Sequence, residues 1–389
     1  MKMGHIHDAA ILGAGLAGSS MAGVLAEMGW DTVLIDQHEF PRHKVCGEFF
    51  SPESTGILAS LGLEKQVRLL QPSEMDRVRL TSASGISLEI PLPGPALGVS
   101  RYVLDSTLHQ AVREKGVNVL TGAAVTSVCQ SEQGYRVEIQ RKGERKSIEA
   151  RAVIGAWGRS PRSGLTGCRK RIPRRSYIGI KTHIGGIKQE SVTELYFFPG
   201  GYLGISPIEG GRHNASALLT REFFHNAGKT VRGVMEAAAR LNPALDLKLA
   251  NGELVPGTQA AVAPVETSRK PIAWGLIPHV GDAAMVIPPL CGDGMAMALR
   301  SVELCAHLAD GFLRGEVSLS EWRHNYTQSL RAEFSGPLRW GNLLQFLLGH
   351  SAITSSLFRL GLLSPGLAFH LVQATRLKVK TPPSEVKWP

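Results

Sequence analysis

Three features of this 389-residue chain predict an α/β protein with two interleaved sheet lobes and a helical C-terminal segment. Near the N-terminus, "DAAILGAGLAGSSMAGVLAEMGWDTVLID" reads strand, glycine turn, helix, strand. In the middle, "ELYFFPGGYLGISPIEGGRHNASALL" alternates strand-like runs with GG turns, the pattern of an antiparallel meander that walls a pocket. Toward the end, "FSGPLRWGNLLQFLLGHSAITSSLFRLGLLSPGLAFHLVQATR" is leucine-rich and broken by Gly349 and Pro365, which predicts two or three short helices.

The first unit carries the most chemistry. Ala9 to Leu12 is a short apolar strand, Gly13, Gly15 and Gly18 spell GxGxxG, and Ser19 to Met28 has the small residues of a closely packed helix. A second strand, Thr32 to Ile35, ends in Asp36. This is the dinucleotide unit: the glycine turn admits a pyrophosphate, the helix N-terminus faces its charge, and the terminal acid takes ribose hydroxyls. Arg101 then precedes Leu104, Leu108 and Val112, an apolar series at helical spacing, and an apolar strand follows around Val117 to Leu120. Much later, "GLIPHVGDAAMVIPPLCGDGMAMALRSVELCAHLAD" ends a strand at Asp282 and opens an apolar helix with Gly292 and Gly294, a setting for a long polar ligand.

Composition sets bounds. The chain is 43% hydrophobic and 20% charged, as ordinary globular proteins are. No apolar run approaches the ~18 residues of a membrane span, and the first apolar run is the nucleotide strand, so neither a transmembrane helix nor a signal peptide is expected. Five scattered cysteines without a CxxC pair suit a reducing cytoplasm and no structural zinc. The net charge of +10 gathers in "CRKRIPRRS" and in the tail "TRLKVKTPPSEVKWP", with no aromatic interleaving in the first and no nucleic-acid motif. Nucleic acid is therefore not an expected partner, whereas an apolar C-terminal segment beside a basic tail allows peripheral contact with an anionic membrane.

Taken together, GxGxxG with Asp36, the Arg101 segment and "GDAAMVIPPLCGDGMAMAL" resemble the FAD-binding pattern of the para-hydroxybenzoate hydroxylase-like flavoproteins, from about Asp8 to Leu308. That superfamily includes aromatic hydroxylases, flavin-dependent halogenases and geranylgeranyl reductases. The resemblance implies noncovalent FAD on a Rossmann-like lobe. Gly13, Gly15 and Gly18 would approach the pyrophosphate, Asp36 the adenosine ribose, and Arg101 the flavin side. Val125 would meet adenine through its backbone, Asp282 would bind the ribityl chain, and Gly292, Gly294 and Met295 would face the flavin pyrimidine. It also implies FAD-binding pieces at 1–81, 99–176 and 257–310, substrate-facing pieces at 82–98 and 177–256, and a C-terminal helical segment and tail at 311–389.

Within the superfamily, Cys46, Gly47 and Glu48 in "PRHKVCGEFFSPES" look like the CG-containing loop of geranylgeranyl reductases, and Tyr196, Phe198 and Pro199 echo their aromatic-Phe-Pro motif. These residues would line the pocket of a hydrophobic substrate, with Cys46 and Glu48 the candidate catalytic side chains, His213 a second candidate for proton delivery, and Cys291 a neighbour of the flavin. The halogenase WxWxIP pattern is not seen, and no lysine occurs from Gln66 to Glu114, where the halogenase lysine belongs. Trp157 stands where the pattern has an acid before Gly158, which leaves the electron donor open between NAD(P)H and a donor protein. The leading expectation is reduction of an unsaturated apolar substrate. The alternatives are a monooxygenase acting on an aromatic or polyketide ring, and a noncatalytic flavin-binding or membrane-associated carrier.

Overall fold

The computed structural model describes residues 5–159, 176–267, 270–349 and 351–378; most of both basic stretches lies outside them. The first part alternates strands and helices: β1 (Ile6–Leu12), α1 (Leu16–Glu27), β2 (Thr32–Ile35), β3 (Phe49–Phe50), α2 (Ser54–Ser60), α3 (Glu64–Leu69), β4 (Ser73–Thr81), β5 (Ser87–Gly98) and α4 (Arg101–Glu114). Strands dominate next: β6 (Asn118–Leu120), β7 (Ala123–Ser131), β8 (Gly134–Arg141), β9 (Glu144–Gly155), β10 (Tyr177–Gly185), β11 (Val192–Phe198), β12 (Gly201–Ile208) and β13 (Arg212–Leu219). Then come α5 (Arg221–Asn226), α6 (Val231–Leu241), α7 (Pro243–Leu249), β14 (Glu253–Leu254) and β15 (Ala260–Val265). The remainder is helical: α8 (Gly294–Arg314), α9 (Leu319–Leu348), α10 (Ser351–Leu363) and α11 (Pro365–Ala374).

The first sheet runs β6-β2-β1-β9-β8-β7, its first four strands parallel and its last two antiparallel. Ala9 to Leu12 are all buried, the continuous apolar run of a parallel strand covered on both faces. Helix α1 packs on α4 and α8, and its small buried residues Gly18, Ser19, Ser20, Ala22 and Gly23 allow that close approach.

The second sheet runs β14-β10-β13-β12-β11-β4-β5-β3, with β15 added on β10. The expected meander is β11-β12-β13, antiparallel throughout. Strand β4 lies before the expected boundary at 81, yet it pairs with β5 and, in parallel, with β11. Strand β15, after the expected return at 257, likewise belongs to this sheet. Both partnerships join residues distant in sequence, which local pattern does not report.

One face of the second sheet packs Tyr196, Phe198, Leu203 and Ile205 against α6. The other meets the C-terminal helices, where Ile90, Phe197, Tyr202 and Leu218 surround Phe358. The chain breaks expected at Gly349 and Pro365 are present, as the cap of α9 and the first residue of α11. The first of the expected short helices is the end of the 30-residue α9, which starts at a Ser318/Glu321 capping box.

Candidate functional site

The turn after β1 is shaped by close backbone approach. Gly13 has φ +115°, and a Cβ there would sit 2.4 Å from the Ala156 carbonyl oxygen. A Cβ on Gly18 would lie 1.7 Å from the Gly13 oxygen. Gly15 differs: the atoms nearest its missing side chain are Lys44 Nζ at 3.4 Å and Arg101 Nη2 at 3.5 Å. The turn therefore opens, at the N-terminus of α1, on a crevice where Lys44 and Arg101 face it. Arg101 is held there by a bidentate pair with Asp105 at 2.8 and 2.9 Å. Lys44 forms no ion pair among the described residues; burial pushes its ammonium pKa down, and neighbouring Arg101 adds to the effect. Glycine turn, helix N-terminus and two cations fit a diphosphate.

In the recess beyond Gly15, Asp36 Oδ2 accepts the Ala14 N–H at 2.8 Å, and Oδ1 accepts the His38 N–H at 2.8 Å. Burial opposes its ionisation, but these bonds prevail and hold its pKa below the ordinary carboxylate value. Val125, Arg42 and Trp157 line the same recess. Trp157 occupies the position of the missing acid, its ring covering Gly155 and meeting His279 edge-on at 5.0 Å.

At the other end of the crevice, Asp282, Gly292, Gly294 and Met295 share a wall with Arg159. Asp282 Oδ2 accepts from Arg159 Nε at 2.9 Å. Facing them is the loop Cys46-Gly47-Glu48. Asn214 on β13 donates to the Cys46 carbonyl at 3.0 Å. Glu48 has a left-handed φ of 54° and is fully buried. Its Oε1 takes Lys181 Nζ at 2.5 Å and the Arg101 N–H at 2.9 Å, while Oε2 lies 2.7 Å from His183 Nε2. A strained backbone of this kind costs about 1–3 kcal/mol and persists where surrounding contacts over-determine it.

Several sequence expectations change here. Burial works against the Glu48 carboxylate, yet His183 and Lys181 hold its pKa below the ordinary value, and its two oxygens pin the loop to β10. His213 is buried on β13 and lines neither the crevice nor the cavity beside it. Tyr196 and Phe198 point away from the site, into the packing against α6, and Pro199 is exposed in the β11-β12 turn. Alternation along β11 puts Thr193 and Leu195 on the site face instead.

That face bounds a second cavity, lined by Val78, Leu80, Ile90, Leu195, Leu344 and Leu348, which meets the crevice at Cys46, Gly47, Phe49, Arg159 and Gly292. Cys46 and Cys291 both line it as free thiols, and burial pushes the Cys291 thiol up to about 12. Lys44, Arg159, Lys181 and His183 were not singled out from sequence; only the run of basic residues around "PRHKVCG" gave a local signal, and that for Lys44 alone.

The fold and crevice define a dinucleotide-binding flavoprotein, and the cations facing Gly15 suit FAD's diphosphate. The chain belongs to the FAD binding domain family, whose profile matches residues 7–324, and it is an FAD-dependent oxidoreductase. It is 27% identical over 318 residues to digeranylgeranylglycerophospholipid reductase 1 of Methanothermobacter thermautotrophicus, covering 78% of this chain and 76% of that one. It is 28% identical over 328 residues to menaquinone reductase of Mycolicibacterium smegmatis, covering 77% and 76%. In fold it is similar to the flavin-dependent brominase Bmp2, with a TM-score of 0.78 at 18% identity over 95% of this chain and 93% of that one.

Proposed function

We propose that the protein saturates a carbon–carbon double bond in a chain-like, largely apolar substrate. The observation that carries this reading is the aliphatic cavity abutting the crevice through the shared Cys46-Gly47 and Gly292 wall. Fully reduced FAD, when bound, would supply a hydride and a proton, which together saturate the bond and leave oxidised FAD. The chain's own part is positional. Lys181, His183 and Asn214 fix the Cys46 loop, α9 and α11 close the cavity with Leu344, Leu348 and Val372, and the aliphatic lining excludes water. The names of the two reductase relatives, which refer to a lipid and a quinone, support the same substrate class.

No helix among the described residues is long and apolar enough to cross a membrane. Trp340, Leu343 and Phe346 are exposed on α9, the helix whose Leu344 and Leu348 line the cavity, and this supports peripheral contact with a lipid surface from which substrate enters.

The test is a single turnover of dithionite-reduced holoprotein under argon, with a polyprenyl lipid supplied in phosphatidylglycerol vesicles. The expected results are a saturated product without oxygen and sedimentation of the protein with the vesicles. Product formed only in air, carrying an atom of labelled dioxygen, would replace this reading with the monooxygenase.

A further inference from the structure

A second cavity adjoins the aliphatic one, between the β11-β12 turn and the end of α9, and it is the larger, about 460 Å³ against about 160 Å³. Gly200, Gly201, Thr220, Arg221 and Phe346 line it, and Arg221 and Phe346 are exposed. A single layer of three residues, Tyr202, Leu218 and Leu348, bounds both cavities. Tyr202 and Leu218 lie directly opposite each other on β12 and β13 and are buried in that sheet. Leu348 is held differently. It is the last residue of α9, followed by the Gly349 cap, and it is half-buried. A side chain on a terminal helical turn is the least constrained of the three.

The other sides of the inner cavity are closed more firmly. One side is the wall shared with the FAD crevice. Another is the segment after α11, where Thr375 and Arg376 line the cavity. That segment is tied down: Arg376 Nη1 donates to Glu53 Oε2 at 3.0 Å, and the Leu377 N–H donates to Asp293 Oδ2 at 3.0 Å. We propose that Leu348 is a gate, and that its displacement joins the two cavities into one channel for an extended apolar chain. A chain entering this way arrives tail first. Its leading end runs along Leu195 and Leu344 toward the Cys46, Gly47 and Gly292 wall, while a head too bulky for the gate stays in the outer cavity beside Thr220 and Arg221. The gate thereby selects bonds remote from a bulky head for presentation at the crevice. This rests on the reductive reading of the cavity and deepens it.

The experiment measures binding, not turnover. Oxidised, FAD-loaded full-length protein is titrated with octyl, decyl, dodecyl and tetradecyl maltoside below their micelle concentrations, the sugar serving as the bulky head. Calorimetry reads affinity and flavin absorbance reads arrival of the chain at the crevice. In wild type, affinity should rise about fourfold per methylene added, the scale of burying one such group, and the longer members should shift the flavin spectrum. Leu348→Trp, which blocks the gate, should flatten the rise and abolish the shift. Leu348→Ala, which opens it, should speed dodecyl maltoside association several-fold in stopped flow, and this variant decides the matter if the tryptophan variant loses its FAD. An equal rise in wild type and Leu348→Trp, or an association rate unchanged in Leu348→Ala, overturns the gate. Octene, which has no head, separates the two readings. If it shifts the wild-type flavin and no maltoside does, the gate falls and the cavity reading stands; if neither does, both fall.

Discussion

Two buried charge clusters flank the FAD crevice, and they are built to different standards. In the first, Glu48, Lys181 and His183 are at most 1% exposed and both carboxylate oxygens have close partners, although His183 Nδ1 has no hydrogen-bond partner among the described residues. In the second, Glu53, Asp293 and Arg376 are nearly as buried, but only Glu53 pairs with the guanidinium, while Asp293 accepts from Ser51 Oγ and the Leu377 N–H. The Asp293 carboxyl is pushed up to about 7, by burial first and then by Glu53. A carboxylate gripped through both oxygens, as Glu48 is, sets a loop in one position.

The sharpest way to break this contrast is Lys181→Met. It takes the Lys181 cation from the buried Glu48, leaving His183 and the Arg101 N–H against its charge, and should destabilise the holoprotein by about 3–5 kcal/mol, read from denaturant unfolding. A loss below about 1 kcal/mol would mean that water reaches the cluster and that it is not closed. The second cluster is tested by pH. The folded-state pKa of Asp293, about 7, lies above the ordinary 3.8, so between these values the folded protein binds more protons than the unfolded chain. Stability from this group therefore falls as pH rises from about 4 to about 7. Asp293→Asn should remove that slope and gain roughly 2–4 kcal/mol at pH 8, with Asn still able to accept from Leu377. An unchanged slope would show that Asp293 is already ionised and solvated.

The smallest expected effect is a control outside both clusters. The Tyr196 hydroxyl donates to Glu194 Oε1 at 3.0 Å on the sheet face away from the cavity. Tyr196→Phe should cost about 0.5–1.5 kcal/mol of stability and leave dodecyl maltoside affinity unchanged. A change in that affinity would return the aromatic to the cavity wall.

The two clusters also mark where sequence reading succeeds and stops. Gly13, Gly15, Gly18 and Asp36 could be grouped from sequence because one strand-turn-helix-strand unit carries all of them at fixed offsets, and Asp282 and Gly292 because a second contiguous motif does; the structure brings both groups to adjoining recesses. Cys46 and Glu48 were visible as a loop. Glu48's role was not, since its partners Lys181 and His183 arrive from β10, more than 130 residues away. Tyr196 and Phe198 show a parity error: in a strand buried on both faces every residue is apolar or paired, so alternation does not say which side meets the ligand. Arg376 had no signal, because it sits in a stretch that reads as a basic tail and becomes part of the cavity only through Glu53 and Asp293.

The tie between Leu377 and Asp293 also sets a timetable for biogenesis. The glycine turn leaves the ribosome early, but the segment that seals the cavity follows about 360 residues later. At roughly 5–20 residues per second that delay is on the order of 20–70 s. The aliphatic wall formed by β4, β5 and β11 is complete at Phe198, so at that rate it waits on the order of 10–40 s for this segment, within reach of chaperones and of other nascent chains.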